Sequence, residues 1–261
     1  MVKKILSILL WIATAGAVVV AFVIAHNKYM HSPLSRIELE IDRPNSSRGF
    51  VDFNTEYDRI HSICYATDSC EIASINIDTI VDMLCANPWV EKASASITLD
   101  GVLKVFVKEH IPIMRVYNRS QQSVYITSDG MVLPSSRLYS PDVMMINGNI
   151  SFEPQKDKVS INDSVYVDSQ LVSVFDLASA INSDRILKST VAQVFISDNG
   201  EAEMVQYNNK ATVLFGTLDN IADKLMRLRI FLEQKHGTDE MQDYKHLSLK
   251  FNNQVVCVKK K

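Results

Sequence analysis

Two pairs of carboxylates stand out as candidate acid–base groups. Asp78 and Asp82, and Asp219 and Asp223, are spaced i, i+4, so a helix would place both members of each pair on one face. Such a pair can share a proton or activate a water. The spacing reads first as a solvated helix face, or as negative charge complementing a helix N-terminus, and only then as acid–base chemistry. The six histidines are scattered, and the H-E-x-x-H metal signature is absent. So are G-x-G-x-x-G, the Walker lysine loop and G-x-S-x-G. The expectation is therefore no enzyme, no catalytic residue, no cofactor and no metal site. Four cysteines without a C-x-x-C pair are too few for a disulfide scaffold or a zinc ribbon. Cys64 and Cys70 are a candidate disulfide pair if the chain is exported, although so short a loop would stabilise it only modestly. Cys85 reads equally as a small buried apolar residue.

Charge and hydropathy say where such residues would sit. The balance of 27 basic against 30 acidic residues gives a net charge of −3, which disfavours a nucleic-acid binder. A hydrophobic content of 47% and a charged content of 22% fit together only if the apolar residues are unevenly placed. They are. Ile5 to Ala25 is an uncharged run of about 21 residues, the length needed to cross a bilayer. Lys3 and Lys4 precede it and few basic residues follow closely, so residues 1–4 read as a cytoplasmic tail and the bulk as exported. Val23-Ile24-Ala25 resembles a signal-peptide cleavage site, but secretory apolar regions are shorter, so residues 5–25 read as a retained transmembrane helix. Residues 26–35, polar and containing Pro33, read as a linker.

The exported part alternates strands and helices. Arg36 to Asp42 alternates apolar and charged residues and predicts a strand. Thr55 to Tyr65 and Asp78 to Ala86 predict helices, the second with Asp78 as N-cap and Asn87-Pro88 as its stop. Pro44 to Ser47 predicts a loop between the first strand and these helices. Trp89 to Leu99 and Val102 to Glu109 predict strands joined by a two-residue turn at Asp100-Gly101, both with positive φ. This β-α-α-β-β order would bury one small core between a three-stranded sheet and two helices. From Ile113 strands dominate: Met114–Tyr117, Ser123–Thr127, Met131–Leu133 and Val143–Ile146, the last ended by Asn147-Gly148. A helix is marked by Leu171, Phe175, Ala178 and Ile181. A meander over Thr190–Ile196, Ala202–Tyr207 and Ala211–Phe215 follows, with turns at Asp198-Asn199-Gly200 and Asn208-Asn209. An amphipathic helix carries Ile221, Leu225, Leu228 and Leu232, with Thr217 as N-cap. His246 to Phe251 then alternates as a strand, and Asn252-Asn253 turns the chain into Val255–Val258.

The run Asn87-Pro88-Trp89-Val90, a hairpin, and Glu109-His110-Ile111-Pro112 resembles a pattern of the FtsQ/DivIB bacterial division proteins. Asp129-Gly130 within Tyr125 to Val132 resembles that family's Asp-x-Asp-Gly segment. Trp89, Val90, Glu109, Pro112, Asp129 and Gly130 are thus the family-motif positions. His110 stands where the family often has Arg, and Asp100-Gly101 where it has Pro. The resemblance implies an α+β chain with an N-terminal transmembrane helix, a POTRA domain over residues 36–112 and a strand-rich β-domain over 113–261. It implies a scaffold that is septal during division and spans the inner membrane once, with its bulk periplasmic. FtsB- and FtsL-like coiled-coil proteins and other divisome membrane proteins would be its partners, and nucleic acid and small-molecule substrates would not. The partner site would be a C-terminal edge strand and turn, which here falls on Ser248, Lys250, Phe251, Asn252 and Asn253. Lys250 replaces an Arg, losing bidentate geometry, and Phe251 replaces a Tyr, keeping the ring. Leu247 and Leu249 read as an inward core face, and Phe251 reads equally as core or as contact. Two alternatives stand beside this reading. One is a POTRA-bearing chaperone or translocation component, since such modules also capture strands. The other is a membrane-anchored envelope enzyme, for which no motif speaks.

Overall fold

The first element is a long helix, α1 (Val2–Met30). In this computed structural model, residues 2–44, 48–65, 70–167, 169–207, 211–235 and 243–260 are described. The expected loop at Asn45-Ser46-Ser47 and the expected turn at Asn208-Asn209 lie outside the described residues. Leu9–Met30 of α1 has a mean hydropathy of 2.2 and is long and apolar enough to cross a membrane. The helix runs past Ala25, so residues 26–30 are not the start of a linker. No breaker stands before Pro33, so the helix continues until that ring forbids it.

The chain divides into two compact units, Met1–Glu109 and His110–Lys261. The first holds β1 (Arg36–Asp42), α2 (Phe53–Cys64), a 3-10 turn at Ile72–Ser74, α3 (Ile77–Cys85), β2 (Val90–Ile97) and β3 (Val102–Glu109). Its sheet order is β1-β3-β2, with β1 parallel and β2 antiparallel to β3. Ile60, Ile80, Leu84, Val90, Leu103 and Val107 are wholly buried between helices and sheet. Asp52 caps α2 by accepting from the Thr55 amide at 2.8 Å. Asn76, not Asp78, caps α3, accepting from the Thr79 amide at 3.1 Å. Asp78 falls in the first turn, where its charge complements the helix dipole. The β2–β3 connection is longer than the expected two-residue turn. The Thr98 amide donates to the Val102 carbonyl and the Gly101 amide to the Thr98 carbonyl, leaving a three-residue loop. Only Gly101 there has positive φ, at 75°. Such a loop closes on a single left-handed residue, and glycine adopts that conformation without strain.

The second unit contains β4 (Pro112–Tyr117), β5 (Ser123–Thr127), β6 (Met131–Pro134), β7 (Met144–Gly148), β8 (Val159–Ser160), α4 (Leu171–Ser183), α5 (Arg185–Thr190), β9 (Val191–Ile196), β10 (Ala202–Gln206), β11 (Thr212–Gly216), α6 (Ile221–Lys235), β12 (Tyr244–Ser248) and β13 (Val256–Lys259). Among the described residues these strands form one ten-stranded sheet, β13-β12-β11-β10-β9-β7-β4-β5-β6-β8. It is mixed: β7 pairs in parallel with both β4 and β9, and β12 in parallel with β11. The three helices pack on one another, α4 lying against β4 and α5 against β9. The core runs from Met114, Val116 and Ile126 through Val174, Leu177 and Ile181 to Leu225, Leu228 and Leu247.

Several boundaries differ from the sequence reading. Asn147 and Gly148 extend β7 rather than end it, because β7 pairs with β9 through Gly148. A Cβ on Gly148 would lie 2.0 Å from the Ile196 carbonyl oxygen, so only glycine permits that approach. The helix α5 precedes β9, capped by Asp184, whose carboxylate accepts from the amides of Ile186 and Leu187 at 2.9 and 3.1 Å. Thr217 does not cap α6, which starts four residues later at Ile221. The strand expected over His246–Phe251 ends at Ser248.

Candidate functional site

The candidate site is the end of the large sheet, built by β12, the reversal after it, and β13. Alternation places Leu247 in the core, and Leu249 stays buried after the strand has ended. The Leu249 amide still donates to the Leu214 carbonyl at 2.9 Å. The chain then turns through Phe251, Asn252 and Asn253, the last with a φ of 58°. Asparagine tolerates that left-handed conformation better than most residues. β13 returns antiparallel, pairing Val256 with Ser248, Cys257 with Leu247 and Val258 with His246.

Side chains from elsewhere hold this reversal. The Arg227 guanidinium on α6 donates to the carbonyls of Phe251 and Gln254 at 2.7 and 2.8 Å. Asp223, one turn back on α6, orients it at 3.0 Å. The Lys250 ammonium donates to Glu201 Oε2 at 2.6 Å and holds that carboxyl below its ordinary pKa. Gly216, at a φ of 81°, leaves room for the Lys250 stem; a Cβ there would lie 3.1 Å from Lys250 Cγ.

The expected site residues therefore have distinct places. Ser248 is buried and paired on both sides, with Leu214 and Val256. The strand that ends at Ser248 is consequently not the sheet edge, because β13 covers it. Lys250, Phe251, Asn252 and Asn253 form the exposed reversal instead, and Phe251 is 53% exposed rather than part of the core. Among the described residues β13 pairs only with β12, so its far side is the open edge. Val258 on β13 is half exposed, and Lys245, Lys259 and Lys260 are exposed around it. Sequence reasoning missed Arg227 and Glu201, whose roles depend on atoms far along the chain.

The family-motif positions are structural. Trp89 is buried and stacks on Phe50 with ring centroids 3.4 Å apart. Val90 is wholly buried. The buried Glu109 carboxylate accepts from the amides of Val51 at 3.0 Å and Phe50 at 3.3 Å, with Arg43 Nη1 at 3.6 Å. Pro112 opens β4 opposite Thr127. Asp129 and Gly130 form the β5–β6 turn, Gly130 with a φ of 79°. The Cys64 and Cys70 thiols are buried, unbridged and within hydrogen-bonding reach of each other. Burial, and then Cys70 beside it, push the Cys64 thiol up to about 11.

The carboxylate pairs do not converge on a reaction centre. Asp78 and Asp82 are exposed on α3. Asp219 bonds Lys224 and Asp223 bonds Arg227, so each is spent on its own cation. Among the described residues no group of three or more His, Cys, Asp or Glu could hold a metal ion.

A membrane-length apolar helix followed by α+β units, the larger with an open strand at its sheet end among the described residues, defines an α+β chain with one helix long enough to cross a membrane. The model of the FtsQ/DivIB, C-terminal related family matches residues 111–258, from the start of β4 almost to the end of β13. The chain belongs to this family of division proteins, which are generally non-enzymatic. A search of curated proteins gave no match.

Proposed function

We propose that this protein is a single-pass scaffold of the bacterial division machinery that binds partners through the open edge of β13. The observation that carries the reading is that edge itself. An open edge presents backbone donors and acceptors that an added strand satisfies. Val258 supplies an apolar contact, and Lys245, Lys259 and Lys260 favour an acidic partner strand. Small coiled-coil division proteins of the FtsB and FtsL type are the proposed partners. In this reading the folded part of the first unit, residues 36–109, forms a POTRA module that helps recruit the protein to the septum, and the second unit, 110–261, forms the partner-binding β-domain. Phe251, Asn252 and Asn253 flank the added strand rather than pair with it. The N-terminus faces the cytoplasm and both modules face the periplasm.

The test is capture of partners by the full chain from membranes, with Val258→Asp on the edge and Phe251→Glu on the reversal. Both residues are exposed, so the fold should survive. The reading expects Val258→Asp to lose most partner capture and to leave cells filamentous when it replaces the native chain. Normal division with undiminished capture would overturn it.

A further inference from the structure

We propose that the β2–β3 hairpin tip dips into the bilayer beside α1, with Leu99 as its apolar contact. The inference rests on the reading that α1 spans a membrane. One hydrogen bond ties the tip to the foot of α1, and two more tie it to Ser35, just before β1. The Tyr29 hydroxyl donates to the Thr98 carbonyl at 3.0 Å. The Ser35 hydroxyl donates to the Asp100 carbonyl at 2.7 Å, and the Ser35 amide to the Gly101 carbonyl at 2.8 Å. Three of the four tip carbonyls are thereby taken up, and Leu99 between them is 91% exposed.

A lone exposed leucine is ordinary on a protein surface. Its position is what gives this one a partner. The uncharged run ends at Ala25, and Tyr29 lies four residues on, about 6 Å along the helix axis. The polar layer on each side of a bilayer is about 5–7 Å thick, so Tyr29 falls in the interfacial belt where tyrosines collect. Helical side chains lean toward the helix N-terminus, so the Tyr29 hydroxyl reaches back toward the hydrocarbon. Thr98 sits at the level of that hydroxyl, and Leu99 is the next residue. Lys28 on the last turn of α1 suits anionic headgroups. Asp100 is exposed and ionised, its carboxyl held below the ordinary value by the hydrogen bond to Thr98, so it stays at the headgroup level and Leu99 alone reaches the acyl chains. The tip would thus be a second foothold that fixes how the first unit is set against the membrane.

Tryptophan fluorescence of the full chain in phosphatidylethanolamine–phosphatidylglycerol vesicles tests this. Trp11 lies within α1 and Trp89 is buried, so Leu99→Trp adds one new exposed indole. The introduced indole should emit to the blue of a water-exposed one. It should be quenched by lipids carrying a nitroxide high on the acyl chain, and several-fold less by aqueous iodide than free tryptophan. Iodide quenching equal to that of free tryptophan, with no nitroxide quenching, overturns the proposal. Trp11 of the unaltered chain separates the two readings. If nitroxide lipids quench Trp11 but not the introduced indole, α1 spans and only the tip proposal fails. If Trp11 is not quenched either, the span itself is wrong and the tip proposal falls with it.

Discussion

Arg227 on α6 donates to the carbonyl of Phe251 at 2.7 Å, across 24 residues of sequence. The same guanidinium takes the Gln254 carbonyl at 2.8 Å. One side chain thus satisfies two carbonyls of a reversal that has left the strand ladder. Hydrogen bonds to charged groups contribute about 1.5–3 kcal/mol each. Arg227→Met keeps the packed stem and deletes the donors. It should destabilise the β12–β13 hairpin by about 2–3 kcal/mol. Amide exchange of Val256–Lys259 should then accelerate while β9 and β10 stay protected. Unchanged protection of β13 would refute this role.

Glu109 should be the most sensitive polar position of the first unit. Its carboxylate accepts from two backbone amides and faces Arg43, all away from water. Glu109→Ala removes the buried acceptor that faces Arg43, at a cost of about 3–5 kcal/mol. Phe50 would loosen from Trp89, so Trp89 emission should shift to the red before global unfolding. Gly49→Ala should act alike, since its Cβ would lie 2.5 Å from both Arg43 Nη1 and Glu109 Oε1. Native emission and melting in both variants would count against the buried cluster.

Asp219 supplies a pH signature. Lys224 donates to it at 2.5 Å, and with the Thr217 hydroxyl this pulls the carboxyl down to about 2. The folded value lies below the ordinary 3.8, so folding favours the ionised form. Its contribution is fully present above about pH 4 and lost as pH falls through about 2. Carboxyl-carbon NMR should give a midpoint near that value, and Lys224→Met should move it back toward 3.8. A midpoint that ignores the substitution would break the assignment.

The thiols should differ in reactivity. Cys64, raised to about 11, is almost wholly protonated at pH 8, and the thiolate is the nucleophile. Iodoacetamide on the native chain should modify the half-buried Cys85 and Cys257 well before Cys64. Peptide mass spectrometry over time would show the order, and early labelling of Cys64 would contradict it.

Much of this architecture is legible in short-range pattern. Alternation gives β1 its observed ends, apolar runs beside turn signals give β3 and β5 theirs, and the 3.6-residue period gives α4 and α6 their buried stripes. What alternation cannot see is where a strand stops for a distant reason. Leu247, Leu249 and Phe251 keep the strand period, yet the ladder ends at Ser248 because Arg227 and Lys250 draw the reversal elsewhere. Backbone carbonyls carry no sequence signature, so Arg227 reads as one more cation on the polar side of α6. For the same reason the sequence pattern places the edge on β12, one strand before the true edge at β13. Caps are ambiguous more locally: Asn76 and Asp78 are both good cap residues, and only the amide geometry of Thr79 separates them.

The parallel pairing of β12 with β11 has a consequence for assembly. Adjacent parallel strands need a crossover, which α6 supplies, so Thr212 meets His246 only after a long loop has closed. Non-local pairings of this kind form slowly and late. β13 then folds onto β12 and inherits that lateness. A nascent or damaged chain whose sheet is incomplete has no β13 edge to offer, so the proposed binding surface also certifies that the domain behind it has finished folding.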